Sequence, residues 1–291
     1  MFGKNKKGNV SDSEYGAMLG GHLNFAASEA YKLLRTNLMY ALTGEEKDEC
    51  RVVGVTSSVR GEGKSTTTLN LAYSIAEAGQ FVLVLECDMR LPTLAKRLGR
   101  DGSKGISNLL AGLCNGSEVI KRTNLHQNLY VLPAGEIPPN PSELLGSERM
   151  KVSLDVLRKD FDYILLDLPP VNAVSDPLIA SKLTDGMILV VRQNYSNKRS
   201  LAEAVRQLRF VDAKILGFVM TSSDSGAKGS KKYYKKYYKQ YGYGYGYGQQ
   251  KEKTRSCLIY IPTCPPAWPM GAARSRKACG WATPSPGRRR S

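Results

Sequence analysis

Six short runs rich in Val, Ile and Leu recur between residues 51 and 221, with helical patterns between them. The runs are "RVVGVTS" (51–57), "FVLVLEC" (81–87), "LYVLPAG" (129–135), "YILLDLP" (163–169), "GMILVVR" (186–192) and "KILGFVMT" (214–221). Each is apolar at consecutive positions and so predicts a strand buried on both faces, the mark of a parallel sheet covered by helices on each side. Helical patterns fall near 64–79, 106–112, 147–159, 174–183 and 198–210. Ahead of them, "NFAASEAYKLLRTNLMYAL" (24–42) places Tyr31, Leu34, Leu38 and Ala41 at helical spacing, with Ser28 as its expected cap. The reading is one doubly wound, mostly parallel α/β domain over 25–227, closing near Met220–Ser223. Ligands of such sheets sit at the carboxyl ends of the strands.

Charge separates this body from what flanks it. The formal net charge is +16, yet residues 228–291 hold nine Lys and six Arg against the single acid Glu252, so the body is nearly neutral. Any affinity for polyanions therefore belongs to the C-terminal part. Within it, "KKYYKKYYKQYGYGYGYG" (231–248) sets eight tyrosines among lysines and glycines, and 228–248 reads as a separate tyrosine cluster. Residues 249–291 carry prolines at 262, 265, 266, 269, 284 and 286 without sustained periodicity, and read as a disordered tail, possibly from a shifted reading frame. Residues 1–24 are polar and Gly-rich, a flexible arm. No apolar run nears the ~18 residues of a membrane span, and the basic N-terminus lacks the apolar stretch of a secretory signal. Cysteines at 50, 87, 114, 257, 264 and 279 show no metal-ligand spacing, which fits free thiols in a reducing cytoplasm.

The first strand runs through "SVRGEGKST" into a helix. Gly-x-x-x-x-Gly-Lys-Ser is the P-loop pattern, here with Ser58 at the first glycine position. Gly61 and Gly63 let the backbone curl with its N–H groups inward, and Glu62 lies between them in the nucleotide-binding stretch. Lys64 meets the β- and γ-phosphates, the Ser65 hydroxyl binds Mg²⁺, and Thr66 continues the helix N-terminus that favours anions. Two later strand ends add acids: Glu86, Asp88 and Arg90 in "ECDMR", and Asp167 in "LLDLPP". Three acids at strand ends beside a P-loop predict a joint nucleotide–Mg²⁺ site.

P-loop, "ECDMR", "LLDLPP" and the tyrosine cluster together resemble the bacterial tyrosine kinases of capsular and exopolysaccharide synthesis, over about residues 25–248. The resemblance implies a catalytic set of Lys64, Glu86, Asp88 and Asp167, with Thr66 supporting the α-phosphate. It also implies Asp88 and Asp167 as the acids that, with Ser65, organise the metal. Glu86 stands where the family usually has Asp, the expected acceptor of the attacking tyrosine's proton, and Arg60 where it often has Pro. Tyr233, Tyr234, Tyr237, Tyr238, Tyr241, Tyr243, Tyr245 and Tyr247 become phosphoacceptors. "EAYKLLR" resembles the family's interface helix, so Glu29, Lys32 and Arg35 are expected to join subunits in a ring, each offering its tyrosines to a neighbour. "GEIPPNPSELL" (135–145) resembles the loop before the last helices, and Asp176 and Arg192 lie near strand ends, from which they could touch nucleotide.

The same resemblance implies a separate membrane-bound polysaccharide co-polymerase as activator, a cognate tyrosine phosphatase, and a cytoplasmic enzyme held peripherally at the membrane. Two other readings compete. A positioning or partition ATPase shares the fold, but its extra loop lysine would fall at Val59. A nucleic-acid-binding module would use the Lys/Tyr/Gly tract for phosphate contacts and stacking. Joined to this body, nucleic acid is at most a secondary partner. If each phosphate brings about −1.5 to −2 charges, a few would offset the six lysines between 228 and 239 and loosen the ring.

Overall fold

The computed structural model describes residues 19–42, 50–223 and 256–260. The strands are β1 (Arg51–Ser57), β2 (Val82–Glu86), β3 (Lys121–Arg122), β4 (Leu129–Leu132), β5 (Tyr163–Asp167), β6 (Gly186–Arg192), β7 (Ile215–Ser223) and β8 (Ser256–Tyr260). They form one sheet in the order β3-β4-β2-β5-β1-β6-β7-β8, parallel except at the two edges, where β3 and β8 run antiparallel to their neighbours. The helices are α1 (Phe25–Ala41), α2 (Lys64–Glu77), α3 (Leu94–Arg97), α4 (Ile106–Ala111), α5 (Gly116–Val119), α6 (Pro141–Leu145), α7 (Glu148–Leu157), α8 (Asp176–Ala180) and α9 (Lys198–Phe210). Among the described residues no helix is long and apolar enough to cross a membrane.

The strands' continuous apolar runs divide by the period-two alternation of side chains. Val52, Leu83, Leu85, Ile164 and Leu166 face one side, where Met150 and Leu154 of α7 and Ala204 and Leu208 of α9 meet them. Val53, Val55, Val82, Val84 and Leu165 face the other, against Tyr31, Leu34 and Leu38 of α1 and Leu69, Leu71 and Ile75 of α2. Leu34, Leu69 and Leu83 are fully buried, each stabilising the fold by roughly 1.5–3 kcal/mol. The sheet is thus packed on both faces, and its carboxyl edge lies beneath the loops that carry chemistry.

Three expectations need correction. Helix α1 begins after Asn24, whose side chain accepts from Ala27 N at 2.9 Å, so Ser28 lies inside the helix and is not its cap. The domain does not close at Met220–Ser223. Inside the segment expected to be disordered, Ser256–Tyr260 pairs with β7, with Met220 opposite Leu258 and Ser223 opposite Ser256. "SCLIY" supplies a short β-prone run, and the backbone edge of β7 offers it hydrogen bonds. The predicted helix at 174–183 is five helical residues, Asp176–Ala180, followed by a 3₁₀ turn at Ser181–Leu183. The tyrosines expected as phosphoacceptors, the start of the N-terminal arm and most of 249–291 lie outside the described residues.

Candidate active site

Strand β1 ends at Ser57 in the middle of the sheet, and the chain turns through residues 58–63 into α2. Gly61 has φ +80° and Gly63 φ +95°, left-handed conformations that a side chain strains. Gly63 caps α2 without a side chain, so the helix N-terminus opens directly onto the loop. Lys64 is its first residue, and Nζ lies 2.9 Å from Asp88 Oδ2. Burial works against the Lys64 charge, but Asp167 and Asp88 outweigh it and hold the ammonium above its ordinary pKa.

Register brings the acids in from neighbouring strands. Asp167, last residue of β5, stands opposite Val55 of β1 on one side and Glu86 of β2 on the other. Its carboxylate is 1% exposed. Burial raises its pKa, opposed by Lys64 and by the nearby Ser65 hydroxyl. Ser65 is close enough to favour the ionised form, yet neither Asp167 oxygen completes a hydrogen bond. A buried carboxylate left unpaired beside a lysine and a serine hydroxyl is what a hydrated Mg²⁺ would satisfy. Ser65, Asp88 and Asp167 therefore fit a nucleotide-bound metal.

Glu86 behaves otherwise. Its Oε1 accepts from Thr93 N at 2.5 Å and Leu94 N at 2.7 Å, and its Oε2 from Ala134 N at 3.1 Å. Burial raises its pKa while these three N–H groups lower it. A general base must present a lone pair to its proton. Both Glu86 oxygens are committed to backbone, tying the start of α3 and the end of β4 to β2, so the site departs here from the catalytic role that the resemblance implied.

Glu62 is also turned into the protein. Its carboxylate accepts from the Ser58 hydroxyl at 3.0 Å, from Val59 N at 2.9 Å and from the Ser196 hydroxyl. Its carbonyl accepts from Thr221 Oγ1 at 2.6 Å. Ser58, which replaces the first P-loop glycine, thus has a partner inside the loop. Glu62 shapes the loop from behind, and β6's following turn and β7 hold it in place. Arg192 donates to Gly61 O at 3.1 Å and lies 5.1 Å over the Tyr195 ring, so it supports the loop rim. Arg60 is exposed at that rim.

Arg90 and Asp176 form a forked pair, at 2.9 Å through Nε and 3.1 Å through Nη2, with Ser142 Oγ donating to Asp176 at 2.5 Å. Asp176 is fully buried. The clamp joins the loop after β2 to α6 and α8, which accounts for Arg90 in "ECDMR" and for Ser142 in the Pro-rich loop. Glu29 and Lys32 pair with each other at 2.9 Å, whereas Arg35 donates to Ser74 O on α2. Arg35 is engaged with its own chain. Sequence reasoning missed Arg97, Ser196 and Thr221. Arg97 Nη1 donates to Thr66 Oγ1 at 2.8 Å, placing a second cation at the phosphate loop. Cys50, Cys87 and Cys114 are free thiols, and burial pushes Cys50 up to about 12.

Glycine loop, partly buried lysine and strand-end carboxylates together define a P-loop nucleotide-binding domain. A family model described as an AAA domain matches residues 50–215. The chain is 37% identical over 199 residues to the tyrosine-protein kinase CpsD of Streptococcus pneumoniae serotype 4, covering 68% of this chain and 85% of that protein. It is similar to the solved kinase domain of the Escherichia coli tyrosine kinase ETK, with TM-score 0.63, 28% identity, and coverage of 67% of this chain and 74% of that one. The chimerical protein CapA2B2 gives TM-score 0.62 and 33% identity, covering 66% of this chain and 83% of that one. The chain belongs to the bacterial tyrosine kinases of the capsule and exopolysaccharide type and is a tyrosine kinase.

Proposed function

We propose that the chain uses ATP and Mg²⁺ to phosphorylate tyrosines of its own 233–247 cluster on a neighbouring subunit. The observation that carries this reading is Lys64 at the mouth of the glycine loop, 2.9 Å from Asp88 and beside an unpaired, buried Asp167. When bound, Mg²⁺ would supply positive charge against the phosphates during transfer. Ser65, Asp88 and Asp167 are the residues that would hold it. Lys64 would move from Asp88 to the phosphates, and the N–H groups at the start of α2 would orient them. Transfer of this kind asks more of positioning than of a strong base.

The cluster's charge supports a regulatory role, since phosphates would offset its lysines. A ring of subunits, a membrane co-polymerase as activator and a resetting phosphatase complete the reading, with capsule or exopolysaccharide synthesis as the controlled process. Phosphotyrosine formed from Mg-ATP tests it, using full-length protein. Wild type should label, whereas Lys64→Met and a variant carrying Tyr→Phe at all eight cluster positions should not. Mixing those two silent variants should restore label on the Lys64→Met chain, because one supplies the site and the other the tyrosines. Label on the eightfold Tyr→Phe chain equal to wild type would overturn the assignment of the acceptors.

A further inference from the structure

The Glu86 carboxylate and the Thr66 hydroxyl are linked by one short helix. Glu86 Oε1 accepts from Thr93 N and Leu94 N, so it fixes the start of α3, and Leu94 anchors that helix by full burial. The last residue of α3 is Arg97, whose guanidinium reaches Thr66 at 2.8 Å. Thr66 follows Lys64 and Ser65 on the first turn of α2, where a bound nucleotide's phosphates would lie. The charge of Arg97 acts on both Lys64 and Asp167, placing it electrostatically within the same site. A nucleoside triphosphate brings several negative charges, and of the loop's own two cations Lys64 lies in the site while Arg60 is exposed at its rim. A guanidinium carries five N–H groups, enough to hold a hydroxyl and a phosphate oxygen together.

We propose that Arg97 is a second phosphate-binding cation, holding nucleoside di- and triphosphates on the Thr66 side of the loop, and that Glu86 is its positioning residue. The inference rests on the ATP reading above. It gives Glu86 a purpose that its three backbone contacts allow and proton abstraction does not. The extra methylene of Glu over Asp lengthens the reach from β2 to the first N–H groups of α3, so the departure at position 86 and the arginine at position 97 form one device.

The test is direct binding of Mg-ADP and Mg-ATP to full-length protein by titration calorimetry, with thermal melts as the check on folding. Arg97→Gln keeps a donor for Thr66 but removes the charge. It should bind both nucleotides about tenfold more weakly, the scale of one charge-assisted hydrogen bond, and with a shallower salt dependence. Arg97→Lys should recover part of that loss. Glu86→Gln should weaken binding in the same direction, and combined with Arg97→Gln should add less than its separate effect. Arg97→Gln binding within twofold of wild type would overturn the proposal, as would Arg97→Lys being as weak as Arg97→Gln. Wild type that binds neither nucleotide would instead sink the ATP reading and this proposal with it.

Discussion

Lys64 Nζ and Asp88 Oδ2 stand 2.9 Å apart, so the loop's cation is held by a carboxylate of its own chain before any phosphate arrives. A nucleotide must compete with that carboxylate. Asp88→Asn should therefore bind metal-free ADP several-fold more tightly, measured by calorimetry in chelator. The same variant should lose Mg²⁺-dependent tyrosine phosphorylation by about 10²-fold or more, since a group stabilising the transition state is gone. Tighter binding with slower transfer is the expected signature.

Asp167 is buried with both oxygens unpaired, and its carboxyl titrates above the usual range because of that burial. A raised folded pKa means that the native chain binds more protons than the unfolded one. Stability is then lost as pH climbs from about 4 through the folded value. Asp167→Asn removes this loss. Without nucleotide at neutral pH it should melt roughly 2–4 °C above wild type, the effect of about 1 kcal/mol. The gap should shrink as pH falls toward 4, and kinase activity should be lost throughout.

Glu86→Gln puts an amide donor among three backbone donors. Leaving one of them unsatisfied costs about 2 kcal/mol, a drop of roughly 4–8 °C in melting temperature. If Glu86 took the phenol proton, the pH dependence of kcat/KM would change form in this variant. Its form should persist at a lower amplitude.

Asp176→Ala strands the Arg90 fork and the Ser142 hydroxyl together. Breaking one side of a buried pair costs about 3 kcal/mol, reduced here because Arg90 is 39% exposed. Hydrogen exchange should accelerate across 90–94 and 141–146 while the central strands keep their protection.

Glu62→Ala removes the acceptor shared by Ser58, Val59 and Ser196. The loop should loosen more than the fold, so KM for ATP should rise by about tenfold with kcat changed less. Steady-state kinetics separate the two.

Chemistry that needs contiguous residues is the legible part of this sequence. The loop from Gly61 to Thr66 works through consecutive N–H groups, and strands buried on both faces must read as unbroken apolar runs. Glu86 shows where legibility stops. As a letter it is an acid at a strand end, like Asp88, and only tertiary folding brings Thr93, Leu94 and Ala134 to consume its oxygens. Arg97 in "LAKRLGR" reads as a basic helix end, and Thr221 as one more strand residue. Their targets, Thr66 and the Glu62 carbonyl, lie 31 and 159 positions away. Asn24 and Ser28 are both competent caps by type, and burial of Tyr31, Leu34 and Leu38 decides between them. The "SCLIY" run is too short to stand out among prolines, and the waiting edge of β7 makes it a strand.

That edge strand alters how the tyrosines connect to the enzyme. Ser223 and Ser256 sit opposite each other, at the end of β7 where Thr221 touches the phosphate loop. The 32 residues between them, which include all eight tyrosines of the 233–247 cluster, are joined to the sheet at both ends. They are a noose and not a rope's end. Even fully drawn out, at about 3.3 Å per residue, such a noose reaches roughly 50 Å, half of what an untied chain of that length would span. A partner that pulls on either end of this segment therefore pulls on the sheet edge beside the phosphate loop.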